Sequence, residues 1–107
     1  MEKAEKGSQG EGSNPMANGI GSSHRGRLDI IANILVTASD GVRKTAIMYR
    51  CNLSFRQLET YLEFLQEKGL LNAFTRRQRR TSVVFETTDK GMNYLQAYRS
   101  LAALMSM

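Results

Sequence analysis

The sequence has 107 residues, with fifteen Lys/Arg against ten Asp/Glu and a formal net charge of +5. Cys51 is the one cysteine and His24 the one histidine, which excludes an internal disulfide framework and a tetrahedral Cys/His zinc site. No apolar run approaches the roughly 20 residues needed to span a bilayer, and Met1-Glu2-Lys3-Ala4-Glu5-Lys6 lacks the apolar core of a secretory signal.

These limits predict one small domain plus a tail, reduced and cytoplasmic, with no metal, no cofactor and no membrane partner. The charge is uneven. Residues 1–24 carry two lysines against three glutamates, whereas residues 25–107 carry thirteen Lys/Arg against seven Asp/Glu. Basicity therefore belongs to the part that can fold, which points to a nucleic-acid partner. Residues 1–24 are rich in Gly, Ser, Asn and Gln with isolated aliphatics. Such a segment cannot bury enough apolar area to offset its ordering entropy, so a disordered tail is expected there.

From Arg25 the pattern changes. Leu28, Ile31, Ile34 and Leu35 recur at helical spacing, with Ile30 and Val36 broadening the stripe. Asp40-Gly41 is the expected stop, Gly supplying a left-handed turn. Val42-Arg43-Lys44 reads as an extended link. A short second helix follows to Arg50, with Ala46 and Ile47 inward, and Cys51-Asn52-Leu53 as a tight turn. Ser54-Phe55-Arg56-Gln57 is a capping box opening the third helix. Phe55, Leu58, Leu62 and Leu65 are its expected core face, and Lys68-Gly69 its stop.

Two strand-like segments, Leu70–Thr75 and Ser82–Thr87, flank Arg76-Arg77-Gln78-Arg79-Arg80. A hairpin tip with four cations in five positions repels itself and gains nothing inside a fold. A polyanion in front of it gives it a role, since each neutralised phosphate releases a counterion. A solvated basic loop is the competing account. Thr88-Asp89 then caps a last helix to about Met105. The fold class is therefore α+β, a winged helix-turn-helix with three helices, a β-hairpin wing and an additional C-terminal helix, over residues 25–107.

Several blocks, taken in order, resemble the archaeal winged-helix regulators and the related small dimeric chromatin-type DNA-binding proteins. They are Lys44-Thr45-Ala46-Ile47-Met48-Tyr49-Arg50, Asn52-Leu53-Ser54, Leu58-Glu59-Thr60-Tyr61-Leu62, Lys68-Gly69-Leu70-Leu71 and Thr87-Thr88-Asp89-Lys90-Gly91. The resemblance covers roughly residues 26–103. It implies a winged-helix fold, binding to double-stranded DNA, nucleoid association and a homodimer formed through the last helix. Relatives often carry a longer final helix in an antiparallel coiled coil, whereas this sequence ends at Met107.

Candidate DNA-binding residues follow from chemistry and position. Arg56, Gln57 and Thr60, on the first turns of the third helix (about 54–68), can meet base edges, and Ser54 a phosphate. Exposed helix residues and a plain helix cap are the competing accounts. Arg43, Lys44 and Arg50 would add backbone contacts that position without reading sequence. Arg76, Arg77, Arg79 and Arg80 would track phosphates or enter a minor groove. Glu59, Glu63 and Glu67 repel phosphates, so affinity is expected mainly from the wing. Tyr49 and Tyr61 are expected to flank the core, and Phe64 to meet a partner or the last helix. For Cys51, packing is favoured over a redox switch.

On the last helix Tyr94, Leu95, Tyr98, Leu101, Ala102 and Met105 give more apolar circumference than one contact needs, so a dimer surface is expected. Packing on the first helix alone is the competing account. The function expected is a DNA-binding transcriptional regulator. Sequence-tolerant chromatin-type binding and a winged-helix protein-interaction module are the alternatives. An enzyme is not expected, since the sequence has no nucleophile–base constellation and no glycine-rich phosphate loop.

Overall fold

The computed structural model describes residues 25–107, and the tail expected over residues 1–24 lies outside the described residues. The order is α1 (Arg27–Thr37), α2 (Lys44–Arg50), α3 (Phe55–Glu67), β1 (Leu71–Arg77), β2 (Thr81–Thr87) and α4 (Asp89–Met105). This is a helix-turn-helix followed by a hairpin wing and a further helix, the α+β winged-helix arrangement expected.

Asp29 starts α1 by accepting the Gly26 N–H at 2.9 Å. The helix ends at Thr37, before the expected stop. Ala38–Asp40 make a turn, and Gly41 leaves it at φ 86, where a side chain is disfavoured. Asn52 supplies the left-handed residue between α2 and α3 at φ 55. The capping box forms as expected: Gln57 N–H donates to Ser54 Oγ at 3.1 Å, and Ser54 N–H donates to Gln57 Oε1 at 2.9 Å. Arg25 lies outside the expected helix interiors, yet its Nη1 donates to the Cys51 carbonyl at 2.8 Å. It thereby satisfies a carbonyl that the end of α2 would leave open.

The core gathers Ile34 and Leu35 of α1, Ile47 of α2, Leu58 and Leu65 of α3, Leu71 of β1 and Leu95 of α4, all essentially inaccessible. Leu53, just before the Ser54 cap, and Leu58 both belong to it, the pairing of a hydrophobic staple. Four expectations need correction. Phe55 is 62% exposed and Tyr49 79%, and Leu28 and Val36 also face outward. Helical spacing locates the centre of a buried stripe, but its width depends on neighbours that a single helix does not reveal. Tyr61 is half-buried against the core as expected. Phe64 is half-buried beneath two cations, Arg27 at 5.7 Å and Lys68 at 5.8 Å from its ring centroid.

The wing strands pair antiparallel from Leu71↔Thr87 to Arg77↔Thr81. The extended link before α2 adds one rung: Val42 N–H donates to Phe85 O at 3.0 Å, and Phe85 N–H donates to Val42 O at 2.7 Å.

The segment from Thr87 to Gly91 joins four elements. Thr87 Oγ1 donates to Leu35 O at 2.6 Å, and its N–H donates to Ala38 O at 3.0 Å. Thr88 Oγ1 accepts the Gly91 N–H at 3.0 Å, capping α4, and donates to Gly69 O at 2.7 Å. Lys90 Nζ donates to Lys68 O at 2.8 Å, at the end of α3. Gly91 is buried against this seam. A Cβ there would lie 2.5 Å from both the Leu70 carbonyl oxygen and Thr87 Cγ2.

Gly91→Ala therefore gives an expected result opposite in sign to helix propensity. Alanine normally gains about 1 kcal/mol over glycine inside a helix. Here the overlap is with backbone, and a net loss of about 1–3 kcal/mol is expected from thermal or urea unfolding. Unchanged or raised stability would show that α4 can slide away from the seam.

Candidate nucleic-acid interface

Four of the candidate cations lie on the wing. Arg76 and Arg77 are not at the tip, as the sequence suggested, but are the last two residues of β1. The tip is Gln78–Arg80, where the Gln78 N–H donates to Arg80 O at 3.4 Å. Strand character extends through the arginines because the ladder continues to Arg77↔Thr81. Successive strand residues point to opposite faces, so Arg76 and Arg77 diverge.

Arg76 shares its face with Phe74, Ser82 and Val84. Its guanidinium sits 5.8 Å from the Phe74 ring centroid. It also lies against Gly41, where a Cβ would come within 3.2 Å of Nη2. Between this face and the Gly41–Arg43 link runs a groove of about 690 Å³, lined by Arg43, Arg76, Arg79 and Arg80. The structure thus brings one helix-start cation together with three wing cations, and sends Arg77 elsewhere.

The valley on the other side, between α3 and the wing, has a different character. It holds about 600 Å³ and is lined by Lys44, Glu59, Thr60, Glu63, Gln66 and the base of the hairpin at Ala73 and Phe85. Lys44 is paired with Glu59 at 2.5 Å and sits 5.5 Å from the centroid of the exposed Phe55 ring. It is not an unopposed cation. Sequence order alone did not show this pairing, because fifteen residues separate the partners.

On α3, Arg56 is exposed and projects from the first turn. Thr60 Oγ1 donates to Arg56 O at 3.0 Å, an ordinary helix bond that leaves its oxygen able to accept. Gln57 is engaged in the capping box, so bidentate pairing with adenine requires that bond to open. Ser54 Oγ is engaged in the same box. Arg50 is exposed at the end of α2, beside the turn. Burial pushes the Cys51 thiol up, against smaller opposing effects of the Thr37 hydroxyl and of Arg25 and Arg50. A raised thiol pKa and 1% exposure suit packing, not redox sensing.

The last helix divides in two. Leu95 is 2% exposed inside the core and cannot also serve a dimer. Tyr94 and Tyr98 are half-buried and stacked, with ring centroids 6.4 Å apart. Both hydroxyls reach α1: Tyr94 donates to Leu28 O at 3.1 Å, and Tyr98 donates to the Asp29 carboxylate. The Asp29 bond, with burial and the Asp29 charge, leaves the Tyr98 phenol pushed up to about 12. Beyond them the helix is uncovered. Leu101, Leu104 and Met105 are 60%, 65% and 84% exposed. With Leu28 and Tyr98, Leu101 and Met105 line an apolar groove of about 490 Å³.

No helix among the described residues is long and apolar enough to cross a membrane. A family model described as winged helix-turn-helix matches residues 24–106. Among solved structures, the chain is similar to Sso10a-2, a DNA-binding protein from Sulfolobus solfataricus. The TM-score is 0.67 at 22% identity, covering 77% of this chain and 83% of that one. It is also similar to a PadR family transcriptional regulator from Eggerthella lenta, with TM-score 0.60 at 14% identity over 72% and 74% of the two chains. A third likeness is to ZitR from Lactococcus lactis, with TM-score 0.57 at 17% identity over 81% and 65%. At these identities the likenesses speak for the fold alone. No curated protein sequence matches the chain.

The Lys44–Glu59 pair can be tested apart from any ligand. Both side chains are more than a third exposed, so solvent screens them. Glu59→Gln is expected to change unfolding free energy by less than about 1 kcal/mol, measured by urea titration. A larger loss would make the pair the structural tie between α2 and α3.

Proposed function

The chain belongs to the winged helix-turn-helix family, and on that footing we propose that it is a DNA-binding transcriptional regulator that meets double-stranded DNA mainly through its wing. The observation that carries this reading is the groove in which Arg43, Arg76, Arg79 and Arg80 converge. Guanidinium groups held on a rigid hairpin make strong, directional contacts to phosphate oxygens. Arg56 and Thr60 on the first turns of α3 would then read base edges, with Ser54, Arg50 and the α3 amides as backbone contacts. Gln57 would join them only by releasing its cap.

A second reading, sequence-tolerant binding of the chromatin type, is favoured by a specific observation. The outer part of α3 presents Glu63 and Glu67 to solvent, so the reading surface reduces to its first turns. Specific and random duplexes separate the two readings. A regulator should prefer one sequence by roughly 4–10 kcal/mol, and an architectural protein should show little preference.

The uncovered end of α4 supports a homodimer. Leu28, Leu101, Leu104 and Met105 are large exposed apolar side chains on neighbouring helical surfaces, and a second copy of the same face would cover them by two-fold symmetry. Tyr94 and Tyr98 would support that face from the α1 side, and Ala102 would lie within it.

Two measurements follow. Replacing Arg76, Arg77, Arg79 and Arg80 together by Ala should weaken duplex binding by about a hundredfold or more. It should also flatten the dependence of log K on log salt by about three units, at about 0.9 per phosphate contact. Anisotropy titrations at two salt concentrations read both, and unchanged values would remove DNA from the wing. Replacing Leu101 and Leu104 by Glu should convert a dimer to a monomer in sedimentation while leaving helix content intact. A wild-type chain that sediments as a monomer at tens of micromolar would contradict the dimer.

A further inference from the structure

The wing arginines are divided between its two faces. The groove beside the Gly41–Arg43 link is lined by four arginines and Ser82 and, among its lining residues, by no Asp or Glu. The opposite face carries Arg77, with Ala73 and Phe85, and at its base Ala73 and Phe85 line the valley that contains Glu59 and Glu63. Adjacent residues in one arginine run therefore point to opposite faces, and only Arg76 lines the arginine groove.

Arg76 is held in place on its side. Its guanidinium lies near the Phe74 ring and against the bare backbone of Gly41. Any side chain at Gly41 would meet Val84 Cγ1 at 3.1 Å and Arg76 Nη2 at 3.2 Å, besides disfavouring φ 86. The missing Cβ lets the guanidinium sit low in the groove. A cation already restrained loses less freedom when it binds.

From this arrangement we infer that the groove is an oligophosphate site, one that takes a run of linked phosphates rather than a single anion. A free oligophosphate then competes with DNA for the wing. Four planar cations around about 690 Å³ of open space match several adjacent negative charges, each able to accept a forked pair of N–H donors. A DNA strand presents that chemistry as successive backbone phosphates, and inorganic tripolyphosphate or a nucleoside triphosphate presents it as a soluble chain. The inference extends the reading of the wing as a DNA contact. It adds that the same groove senses a soluble anion, which would release the protein from DNA.

Inorganic tripolyphosphate is the probe, titrated into the full chain at low ionic strength and followed by amide chemical shifts. Saturable shifts are expected at residues 41–43, at Arg76 and through residues 78–82. Arg76→Ala and Arg43→Ala should each weaken the binding about tenfold or more, and Arg77→Ala, on the other face, less than twofold. Added tripolyphosphate should displace a bound duplex at concentrations where sodium sulfate of equal ionic strength does not. The inference is overturned by shifts that never saturate, by an equal loss in Arg77→Ala, or by displacement that follows ionic strength alone. Its failure is distinguishable from that of the DNA reading. Tripolyphosphate binding without duplex binding sinks only the latter, and duplex binding with no saturable tripolyphosphate site sinks only the former.

Discussion

Five residues, Thr87 to Gly91, fix the wing against the helices. Thr87 ties the end of β2 to the last turn of α1 through Leu35 O and Ala38 O. Thr88 uses one hydroxyl to cap α4 and to hold Gly69 O at the end of α3. Gly91 allows α4 to start directly on the Leu70 carbonyl. Thr87, buried in the seam, must be paired because it is shielded from water. Pairing the segment to three helices, α1, the end of α3 and α4, removes the hinge a hairpin would otherwise have at its base. The arginines at its far end therefore keep a defined position relative to α2 and α3.

That rigidity gives the charge distribution its meaning. The hairpin stands between two grooves of different character, one rich in arginine beside the α1–α2 link, the other bearing Glu59 and Glu63 beside α3. Lys44, which reads as a free cation in the sequence, stands on the acidic side and is neutralised there by Glu59. A polyanion approaching this surface is attracted to the wing's basic face and turned away from the outer part of α3. On the proposed function, contact with α3 would be left to its first turns, around Arg56. Affinity and sequence reading would then fall on different elements, and the balance between them would set how selective the protein is.

Much of this was legible in the sequence, for identifiable reasons. Several boundaries rest on local chemistry: a Ser54–Gln57 capping box starts α3, Gly69 follows its end and a Thr88 cap starts α4. The order of elements, and with it the fold class, followed from those boundaries. What depended on distant partners was not legible. Phe55 has the spacing of a core residue, but α2 offers it a lysine instead of an apolar neighbour. Leu95 and Leu101 both belong to the apolar circumference of the last helix, yet the first is 2% exposed in the core and the second 60% exposed. The arginine run looked like a single tip until the strand register sent Arg76 and Arg77 to opposite faces. Arg25, at the boundary of the patterned region, gave no signal of its role at the end of α2.

The division of labour between wing and third helix is tested most directly by titrating a short duplex into the isotope-labelled full chain and mapping amide shifts residue by residue. The largest shifts are expected at Arg43, Arg76 and Gln78–Arg80, with smaller ones at Ser54–Gln57, and little change at Glu63–Glu67. A map dominated by the Glu63–Glu67 end of α3, or with a silent wing, would contradict the assignment of affinity to the arginine groove.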